Sequence, residues 1–449
     1  MPRPAPRASM PAPVDRRYAR NRVHHSTPSP WRWIPTLYLA QGLPYVVAMT
    51  LSVVMYKNLG VGNTEIALYT SWLYLPWVIK PLWSPWVELL GTRRRWIIAL
   101  QLVVGAALAA VALTLPGPRY LQWSLALFWL MAFASATHDI AADGYYLLAL
   151  PARTQAAFVG VRSTFYRLAM IGGQGGLVML AGWWQDRLGE PRLAWMLVLG
   201  ALAVLFLGAA ALHAVTLPRP AADRASTTPR EGFWRASVQV MAAFFRRDDI
   251  VRVLAFLLLY RLAEAQLLKL VVPFLLDART AGGLGLRTQE VGLAYGTVGV
   301  LALTVGGLLG GWVIARWGLT RTLWPLVLCM HLPNAVFVAL ALAQPQNLAL
   351  VSAALAVEQF GYGFGFTAYM VFMLRVAQGP HATAHYALCT GFMALGMMLP
   401  GMPAGWLQSQ LGYTGFFTWV CLATLPSFAA AAWVRLPPEP AEPNNMVRA

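Results

Sequence analysis

Long apolar stretches alternate with short polar ones along the whole chain, and this pattern predicts a protein that crosses a membrane many times. A helix needs about 20 largely apolar residues to cross a bilayer, and twelve such stretches can be delimited. Several exceed the bilayer thickness, which indicates tilt or ends that protrude into water. The predicted spans are 33–56, 64–89, 94–115, 121–150, 158–184, 193–216, 248–276, 288–315, 320–341, 347–376, 383–409 and 413–435.

Composition and charge refine this picture. The 449 residues are 58% apolar and only 11% charged, which excludes a single soluble core. The net charge of +17 would suit nucleic acid, but 22 of the 34 Lys and Arg fall in the two tails and the loops after even-numbered spans. Only six lie in the loops on the other side. The positive-inside rule then predicts that both termini lie in the cytoplasm, and no nucleic-acid partner is expected.

The chain divides around its longest predicted cytoplasmic connection. We expect a disordered tail at 1–30, a six-helix bundle at 31–216, a linker with an amphipathic helix at 217–247, a second bundle at 248–436 and a tail at 437–449. The first tail has no apolar region followed by a cleavage site, so it is not a signal peptide. A transit peptide has a similar composition, but the prolines argue against one. The three cysteines lie in apolar stretches without a zinc spacing, so we expect no disulfide, metal or cofactor.

The two halves repeat one another. Ala-Gly-Trp-Trp-Gln-Asp-Arg-Leu-Gly at 181–189 returns as Ala-Gly-Trp-Leu-Gln-Ser-Gln-Leu-Gly at 404–412, an offset of 223. Related halves predict a substrate site near mid-membrane, exposed to each side in turn as one half rocks against the other. Glycine pairs at 172–173, 175–176, 306–307 and 310–311 would allow the close helix contacts that rocking requires.

The fourth predicted span places charge where hydrocarbon is expected. Asp139 and Asp143 are four residues apart, so they share one face of a helix. A mid-span Asp costs about 2.5–3.5 kcal/mol even on the mildest insertion scale, so such groups face a cavity or a partner. In an antiparallel hairpin with the next span, Asp139 would lie level with Arg167, and Asp143 with Arg162. The acids either serve transport or form structural ion pairs that only lock the helices.

Further acids occupy the predicted spans that line the cavity in such an architecture. Glu264 lies on span seven and Glu358 on span ten, both near mid-depth. Burial favours the protonated form of a carboxyl group, which proton coupling requires. The expected proton-coupling residues, with Glu264 or Asp139 as the carrier, are Asp139, Asp143, Glu264 and Glu358. A plain ion pair of Glu264 with Arg261 is the alternative.

Cations and aromatic residues in the spans suggest how a solute is held. Buried cations suit an anionic solute, although they could equally neutralise the acids. Lys269 is five residues from Glu264 and is expected to point elsewhere, towards another helix or the interface. Most Trp and Tyr, including Trp77, Tyr166 and Tyr362, are expected in membrane belts or packing. The expected substrate-binding residues are Gln41, Lys80, Tyr145, Tyr146, Arg167, Arg261, Gln359 and Tyr369.

The turns after spans two and eight carry glycine and arginine in a pattern that resembles the cytoplasmic loop motif of the major facilitator superfamily. They read Glu-Leu-Leu-Gly-Thr-Arg-Arg-Arg at 88–95 and Gly-Gly-Trp-Val-Ile-Ala-Arg-Trp-Gly-Leu-Thr-Arg at 310–321. The arginines can hold helix ends and lipid phosphates. The expected gating residues are Glu88, Arg94, Arg162, Arg316 and Arg321.

A closer resemblance covers spans one to eleven. Gln-Gly-Leu-Pro at 41–44, Leu-Pro-Trp-Val-Ile-Lys-Pro-Leu-Trp-Ser-Pro at 75–85, Ala-Thr-His-Asp-Ile-Ala-Ala-Asp at 136–143 and Tyr-Arg-Leu-Ala-Glu at 260–264 look like the AmpG muropeptide permease and acetyl-coenzyme A transporter family. The resemblance implies an all-α integral membrane fold of twelve transmembrane helices, built as two pseudo-symmetric six-helix bundles. It also implies a secondary active transporter, not an enzyme, which imports anhydro-muropeptide or a related sugar-peptide with protons during peptidoglycan recycling.

Other functions stay open at this stage. An acyl-coenzyme A or another organic anion is the alternative cargo, and drug efflux fits the buried acids and bases less well. A membrane-bound transferase or a sensor is the alternative outside transport, but the loops are short and the acids lie mid-span. The expected partners are a small-molecule solute, protons and the lipid bilayer, with the protein acting as a monomer.

Overall fold

The computed structural model describes residues 29–221, 223–224, 230–379 and 381–436. These residues form helices joined by short turns, with no strand among them. Apart from residues 29 and 30, the predicted tails lie outside this part of the chain.

Twelve helical stretches, named α1 to α12 here, correspond to the twelve predicted spans. The linker helix Arg230–Phe245 lies between α6 and α7. The stretches are α1 Pro30–Asn58, α2 Asn63–Trp72 with Leu75–Leu89, α3 Arg93–Thr114, α4 Tyr120–Ala149, α5 Ala152–Ile171 continuing to Val178–Leu188, α6 Pro191–Thr216, α7 Ile250–Leu259 with Leu262–Leu276, α8 Thr288–Trp317, α9 Leu319–Ala343, α10 Leu348–Val376, α11 Ala382–Gly401 with 404–411, and α12 413–422 with Leu425–Trp433.

Nine helices in the described part of the chain are long and apolar enough to cross a membrane by themselves. The other three stretches, α2, α5 and α7, carry charged residues that interrupt an apolar run, namely Lys80, Arg162, Arg167, Arg261, Glu264 and Lys269. The boundary between α11 and α12 lies at Gly412, whose φ of 66° and ψ of 177° turn the chain out of the helix. Glycine tolerates this conformation because it has no Cβ.

Each half has its own packed interior. In the first half α3 packs against α4 and α6, and in the second half α10 packs against α8 and α9. One hydrophobic cluster contains only first-half residues around Trp33 and Tyr145, and another, around Phe256 and Tyr369, contains second-half residues together with Phe244 of the linker helix. The halves meet through α2 with α11, α5 with α8, and α1 with α7.

The backbones of α5 and α8 touch at two wide helical turns, Gly172–Leu177 and Gly292–Gly299. A Cβ on Gly296 would overlap the carbonyl oxygen of Gln174, and one on Gly175 would overlap Thr297. Only glycine permits this approach, so the predicted close contact at 175 is confirmed. Such π-helical turns are frequent at functional sites.

A buried hydrogen-bond chain ties four helices of the first half together. Thr36 Oγ1 lies 3.0 Å from His213 Nε2, and His213 Nδ1 lies 2.9 Å from Gln101 Oε1. The amide nitrogen of Gln101 then lies 3.1 Å from His138 Nε2. With the amide in this orientation, its oxygen accepts from His213 Nδ1 and its nitrogen donates to His138 Nε2, so that nitrogen of His138 carries no proton. His138 therefore serves packing between helices and does not face the space between the halves.

Two names locate features along the membrane normal. The linker side is the side on which the linker helix Arg230–Phe245 lies. The opposite side carries the turns at 59–62 and 277–287. On the linker helix, Val238 and Phe245 are exposed, as an interfacial helix requires, whereas Phe244 is buried against the second half. The side chains of Phe233 and Trp234 on the same helix lie outside the described residues.

Candidate functional site

A cavity of about 730 Å³ lies between the two halves. Its walls come from α1, α2, α4 and α5 of the first half and from α7, α8, α10 and α11 of the second. The lining residues lie in the middle parts of these helices, so the cavity is near mid-membrane, as the repeat predicts. Its volume is within the roughly 300–1,000 Å³ of small-molecule sites.

Aromatic faces make up much of the wall. Tyr45 and Trp77 meet edge to face, with ring centroids 5.3 Å apart. Trp77, Tyr166 and Tyr362 belong to this wall, so their expected place in belts or packing is wrong. The spacing of residues on α10 could have predicted this placement of Tyr362, because Gln359, Tyr362 and Phe366 share one face of the helix. The aromatic lining residues are Tyr38, Tyr45, Tyr74, Trp77, Tyr166, Tyr295, Tyr362 and Phe366.

Four cations and one acid, Asp139, line the cavity within the described residues. Arg162 forms an ion pair, but the other three cations contact neutral groups. Arg167 donates to Thr304 Oγ1 at 3.3 Å, and Lys269 donates to Thr70 Oγ1 at 3.0 Å. Arg261 donates to the Tyr362 hydroxyl and lies 4.7 Å from the ring centroid of Phe366. None of these three forms an ion pair with a described carboxylate.

Lys269 is a charged cavity residue that sequence reasoning missed. It does contact another helix, as expected, but it also faces the cavity. Eight residues separate it from Arg261, and residues spaced by seven or eight share a face of an α-helix. That spacing was the available signal.

The two predicted acid–base couples fare differently. Arg162 Nη2 lies 2.9 Å from Asp143 Oδ1, so that couple is confirmed. Asp139 instead accepts from Trp77 Nε1 at 3.1 Å and lies 3.7 Å from Lys80 Nζ, so its predicted couple with Arg167 is wrong. The predicted couples assume that α4 and α5 stay adjacent along their whole length, as in a regular antiparallel hairpin. They meet near their turn, but farther along α5 packs against α1 and α4 against α2.

The acids of α7 and α10 form a pair behind the cavity wall. Glu264 and Glu358 are both fully buried and close enough to interact, and within the described residues Glu264 Oε1, Glu264 Oε2 and Glu358 Oε1 have no hydrogen-bond partner. Gln359 Nε2 donates to Glu358 Oε2 at 2.9 Å, and Gln359 itself lines the cavity. The alternative ion pair of Glu264 with Arg261 is not formed, because the guanidinium is directed to Tyr362.

A break in α7 explains the position of Glu264. The helix is interrupted at Tyr260 and Arg261, and the second segment, Leu262–Leu276, carries Glu264 in its first turn. Free N–H groups and the helix dipole favour an acidic group there. On α10, adjacent residues point about 100° apart, so Glu358 and Gln359 cannot both face the cavity.

Three tyrosines expected in the substrate site are packing residues. Tyr145, Tyr146 and Tyr369 are at most 2% exposed and do not line the cavity. Their hydroxyls donate to the backbone carbonyls of Pro218, Gln155 and Leu257 at 2.6, 2.5 and 2.7 Å. Their expected contact with a solute in the cavity is therefore wrong. Of the remaining expected substrate residues, Gln41, Arg167, Arg261 and Gln359 line the cavity, and Lys80 lies behind Asp139.

Arginines at the linker side hold helix ends together within each half. Arg94 Nε donates to the carbonyl of Leu217 at 3.1 Å, and its Nη2 donates to Ala214, so the start of α3 is fixed to the end of α6. In the second half Arg247 Nη1 donates to Val376 at the end of α10. Arg247 also hydrogen-bonds Asp249, just before α7, and holds the pKa of that carboxyl below its usual value.

Two other expected gating residues, Arg316 and Arg321, have exposed side chains. The side chain of Glu88 lies outside the described residues.

Polar side chains join the two halves at the opposite side. Asp277 receives Lys57 Nζ at 2.5 Å, the Tyr413 hydroxyl at 2.6 Å and the Asn63 amide at 3.2 Å. Lys57 and Asn63 belong to the first half, whereas Asp277 and Tyr413 belong to the second. Sequence analysis did not identify this contact, because nothing in the local pattern places these residues together.

The repeated Ala-Gly-Trp motif lies at the same side. A Cβ on Gly182 would overlap the backbone nitrogen of Gln289 in α8, and one on Gly405 would overlap the carbonyl oxygen of Asn63 in α2. The two glycines correspond under the 223-residue offset, and each brings a helix of one half onto the first turn of a helix of the other. The repeat therefore marks two equivalent contacts between the halves.

A cavity between pseudo-symmetric six-helix halves defines a membrane transporter, and comparison with known proteins agrees. The model of the Major Facilitator Superfamily matches residues 37–385, so the chain belongs to this superfamily and is a multi-pass transporter rather than an enzyme. The Anhydromuropeptide permease of Escherichia coli (strain K12) is 28% identical over 402 residues, which are 87% of this chain and 76% of that protein. The resemblance to AmpG permeases is thereby confirmed.

Solved structures share the fold at low sequence identity. A bacterial homologue of the human lysosomal transporter Spinster, in an inward-facing and unoccupied conformation, matches with a TM-score of 0.65 at 15% identity and covers 90% of this chain and 96% of its own. A D-xylose-proton symporter matches with a TM-score of 0.62 at 14% identity, covering 90% and 97%. At this identity the likeness establishes the fold alone.

Proposed function

We propose that the protein imports an anionic sugar-peptide of the anhydro-muropeptide type together with protons. Transport would proceed by alternating access across a bacterial inner membrane, with both termini in the cytoplasm and the protein acting as a monomer. One observation carries the proposal. Arg167, Arg261 and Lys269 face the central cavity, and among the described residues each has a neutral hydrogen-bond acceptor and no ion-pair partner.

A buried cation without a counter-charge is costly in a membrane protein, and an anionic solute would supply that charge. Guanidinium groups bind carboxylates and phosphates through two parallel hydrogen bonds. The aromatic wall offers faces on which sugar rings stack. Similarity to the E. coli permease supports the choice of a sugar-peptide over other anions.

The carboxyl pair of Glu264 and Glu358 is our proposed proton site. A buried carboxylate without an ion-pair partner or a hydrogen-bond donor is costly, and a bound proton removes its charge. Two like charges in contact away from water also strongly disfavour double ionisation. Gln359 connects this pair to the cavity, since its amide contacts Glu358 and its side chain lines the wall.

Asp139, beside Lys80, is the second candidate for the proton carrier. The ion pair of Asp143 with Arg162 is a proposed gate, because it lies where α4 and α5 meet near the linker side. Arg94, Arg316 and Arg321 are proposed to act with it by holding helix ends or lipid phosphates.

Replacing Arg261 with glutamine is expected to reduce uptake of labelled anhydro-muropeptide into proteoliposomes by roughly 10- to 100-fold. A hydrogen bond to a charged group contributes about 1.5–3 kcal/mol, and the variant loses it. The loss should appear mainly as a higher KM. Arg252→Gln is the matched control, because Arg252 lies on the same helix against Trp433 and does not line the cavity.

Two outcomes would contradict the proposal. Folded wild-type protein that takes up no anhydro-muropeptide, with or without an inward proton gradient, would remove this cargo. Equal losses in Arg261→Gln and Arg252→Gln would remove the specific role of Arg261. Inhibition of wild-type uptake by excess acyl-coenzyme A, but not by unlabelled muropeptide, would favour the organic-anion alternative.

A further inference from the structure

Two of the cavity cations contact the other half of the protein in the same way. Arg167 belongs to α5 of the first half and donates to Thr304 on α8 of the second. Lys269 belongs to α7 of the second half and donates to Thr70 on α2 of the first. Each half thus contributes one cation that reaches across the cavity region to a threonine of its counterpart.

The two threonines are set up identically as acceptors. Thr70 donates its own hydroxyl proton to the carbonyl of Ile66 at 2.7 Å, and Thr304 donates to the carbonyl of Val300 at 2.8 Å. With the proton committed, each hydroxyl offers only a lone pair to its cation. A neutral oxygen is a weaker partner for a full charge than a carboxylate or phosphate is. An anionic group that entered the cavity would therefore displace each threonine.

The two cations lie at different depths. α2 and α8 both begin at the opposite side, and Thr70 is seven residues after Asn63 whereas Thr304 is sixteen residues after Thr288. A rise of about 1.5 Å per residue places the two hydroxyls roughly 13 Å apart along the membrane normal. Lys269 is fixed at its depth, because it is 4% exposed and its ammonium lies 5.1 Å from the ring centroid of Tyr74.

We propose that Arg167 and Lys269 form a two-point anion clamp, one point from each half, that selects solutes carrying two anionic groups roughly 10 Å or more apart. This inference rests on the proposed anion-binding role of the cavity and narrows its substrate class. Binding of such a solute replaces two hydrogen bonds between the halves with two bonds to the cargo. The cargo then connects α5 of the first half to α7 of the second. Because Thr70 and Thr304 no longer hold the cations, α2 and α8 become free to move.

Matched peptides test the clamp on purified, folded protein. Succinyl-trialanine carries a carboxylate at each end, separated by three extended residues that span about 10 Å. Acetyl-trialanine carries one carboxylate, and succinate carries two that are close together. Calorimetric titration of the wild type is expected to give at least tenfold tighter binding of succinyl-trialanine than of either other probe. Equal affinities for the two peptides would overturn the proposal.

Variants assign the preference to the two cations. Arg167→Gln and Lys269→Gln should each bind succinyl-trialanine no better than acetyl-trialanine, whereas Arg252→Gln should keep the wild-type preference. Thr70→Val and Thr304→Val keep the cations but remove the competing hydroxyls, so they should bind succinyl-trialanine severalfold more tightly. A preference that persists in either glutamine variant, or that disappears in the valine variants, would overturn the clamp. The wild-type and valine measurements decide the question even where a glutamine variant does not fold.

The clamp and the proposed cargo can fail separately. A protein that prefers succinyl-trialanine in a cation-dependent way but does not transport anhydro-muropeptide keeps the clamp and loses the cargo. A protein that transports anhydro-muropeptide but does not discriminate the two peptides loses the clamp alone.

Discussion

Glu264→Gln is expected to abolish proton-driven accumulation of cargo in proteoliposomes, while exchange of labelled for unlabelled cargo persists. Coupling to one proton allows up to about tenfold accumulation per unit of pH gradient, because one unit corresponds to about 1.4 kcal/mol. The variant should reach an inside-to-outside ratio of about one at any gradient. Exchange should persist because glutamine has nearly the shape of a protonated glutamic acid and is likewise neutral, so the variant resembles the proton-loaded carrier.

The measurement compares accumulation under an inward proton gradient with counterflow at equal pH on both sides. Glu358→Gln should behave like Glu264→Gln, since either substitution replaces one carboxyl group of the proposed proton site with a neutral amide. Glu65→Gln is the matched control, because Glu65 is exposed in the first turn of α2. Normal accumulation in both pair variants would refute the proton site. Loss in Asp139→Asn instead would assign the proton to the aspartate beside Lys80.

The fold of this chain could be predicted from local patterns. Spans of apolar residues, polar turns and the distribution of arginine each report on one segment at a time, and they delimit all twelve helical stretches. Even the boundary at Gly412 follows from the sequence, because the predicted spans end at 409 and restart at 413. The bilayer makes such patterns strong, since a charged residue mid-span is costly enough to be noticed.

The site could be predicted only in part, because knowing which helix carries a residue does not reveal the direction in which its side chain points. Gln41, Arg167, Arg261 and Gln359 were expected in the cavity and line it. Glu264, in contrast, points away from the cavity because α7 breaks at Tyr260 and Arg261. Neither residue is a glycine or proline, so the sequence does not predict a break there.

Contacts between distant segments were the least predictable. Asp139 was expected to meet Arg167 on the next helix, but its partners are Trp77 and Lys80 on α2. This choice depends on which helices stay adjacent over their whole length, and that is decided by packing of the entire half. The four-residue contact around Asp277 at the opposite side has the same origin.

The Ala-Gly-Trp repeat was visible in the sequence, but its role became clear only from the contacts of its glycines. Gly405→Ala is expected to shift the protein towards a state open at the opposite side, with a corresponding fall in uptake. The new Cβ would overlap the carbonyl oxygen of Asn63, and a backbone atom can move aside only if α2 and α11 separate. Overpacking of this kind costs typically about 1–3 kcal/mol, which changes the ratio of two states by roughly 5- to 150-fold.

A buried reporter makes the shift measurable. Leu286 is 8% exposed and lines the small polar cleft between the halves at the opposite side, so a cysteine there should react slowly with a membrane-impermeant maleimide. In a background without the three native cysteines, Gly405→Ala should speed this reaction about tenfold or more, following the shift in population. Gly182→Ala should act likewise, because its Cβ would overlap the backbone of Gln289 at the equivalent contact. Gly200→Ala should change nothing, since a Cβ there meets open space. Unchanged labelling and uptake in both repeat variants would mean that the two glycine contacts do not control closure, and that role would then fall to other contacts between the halves, such as the polar contacts of Asp277.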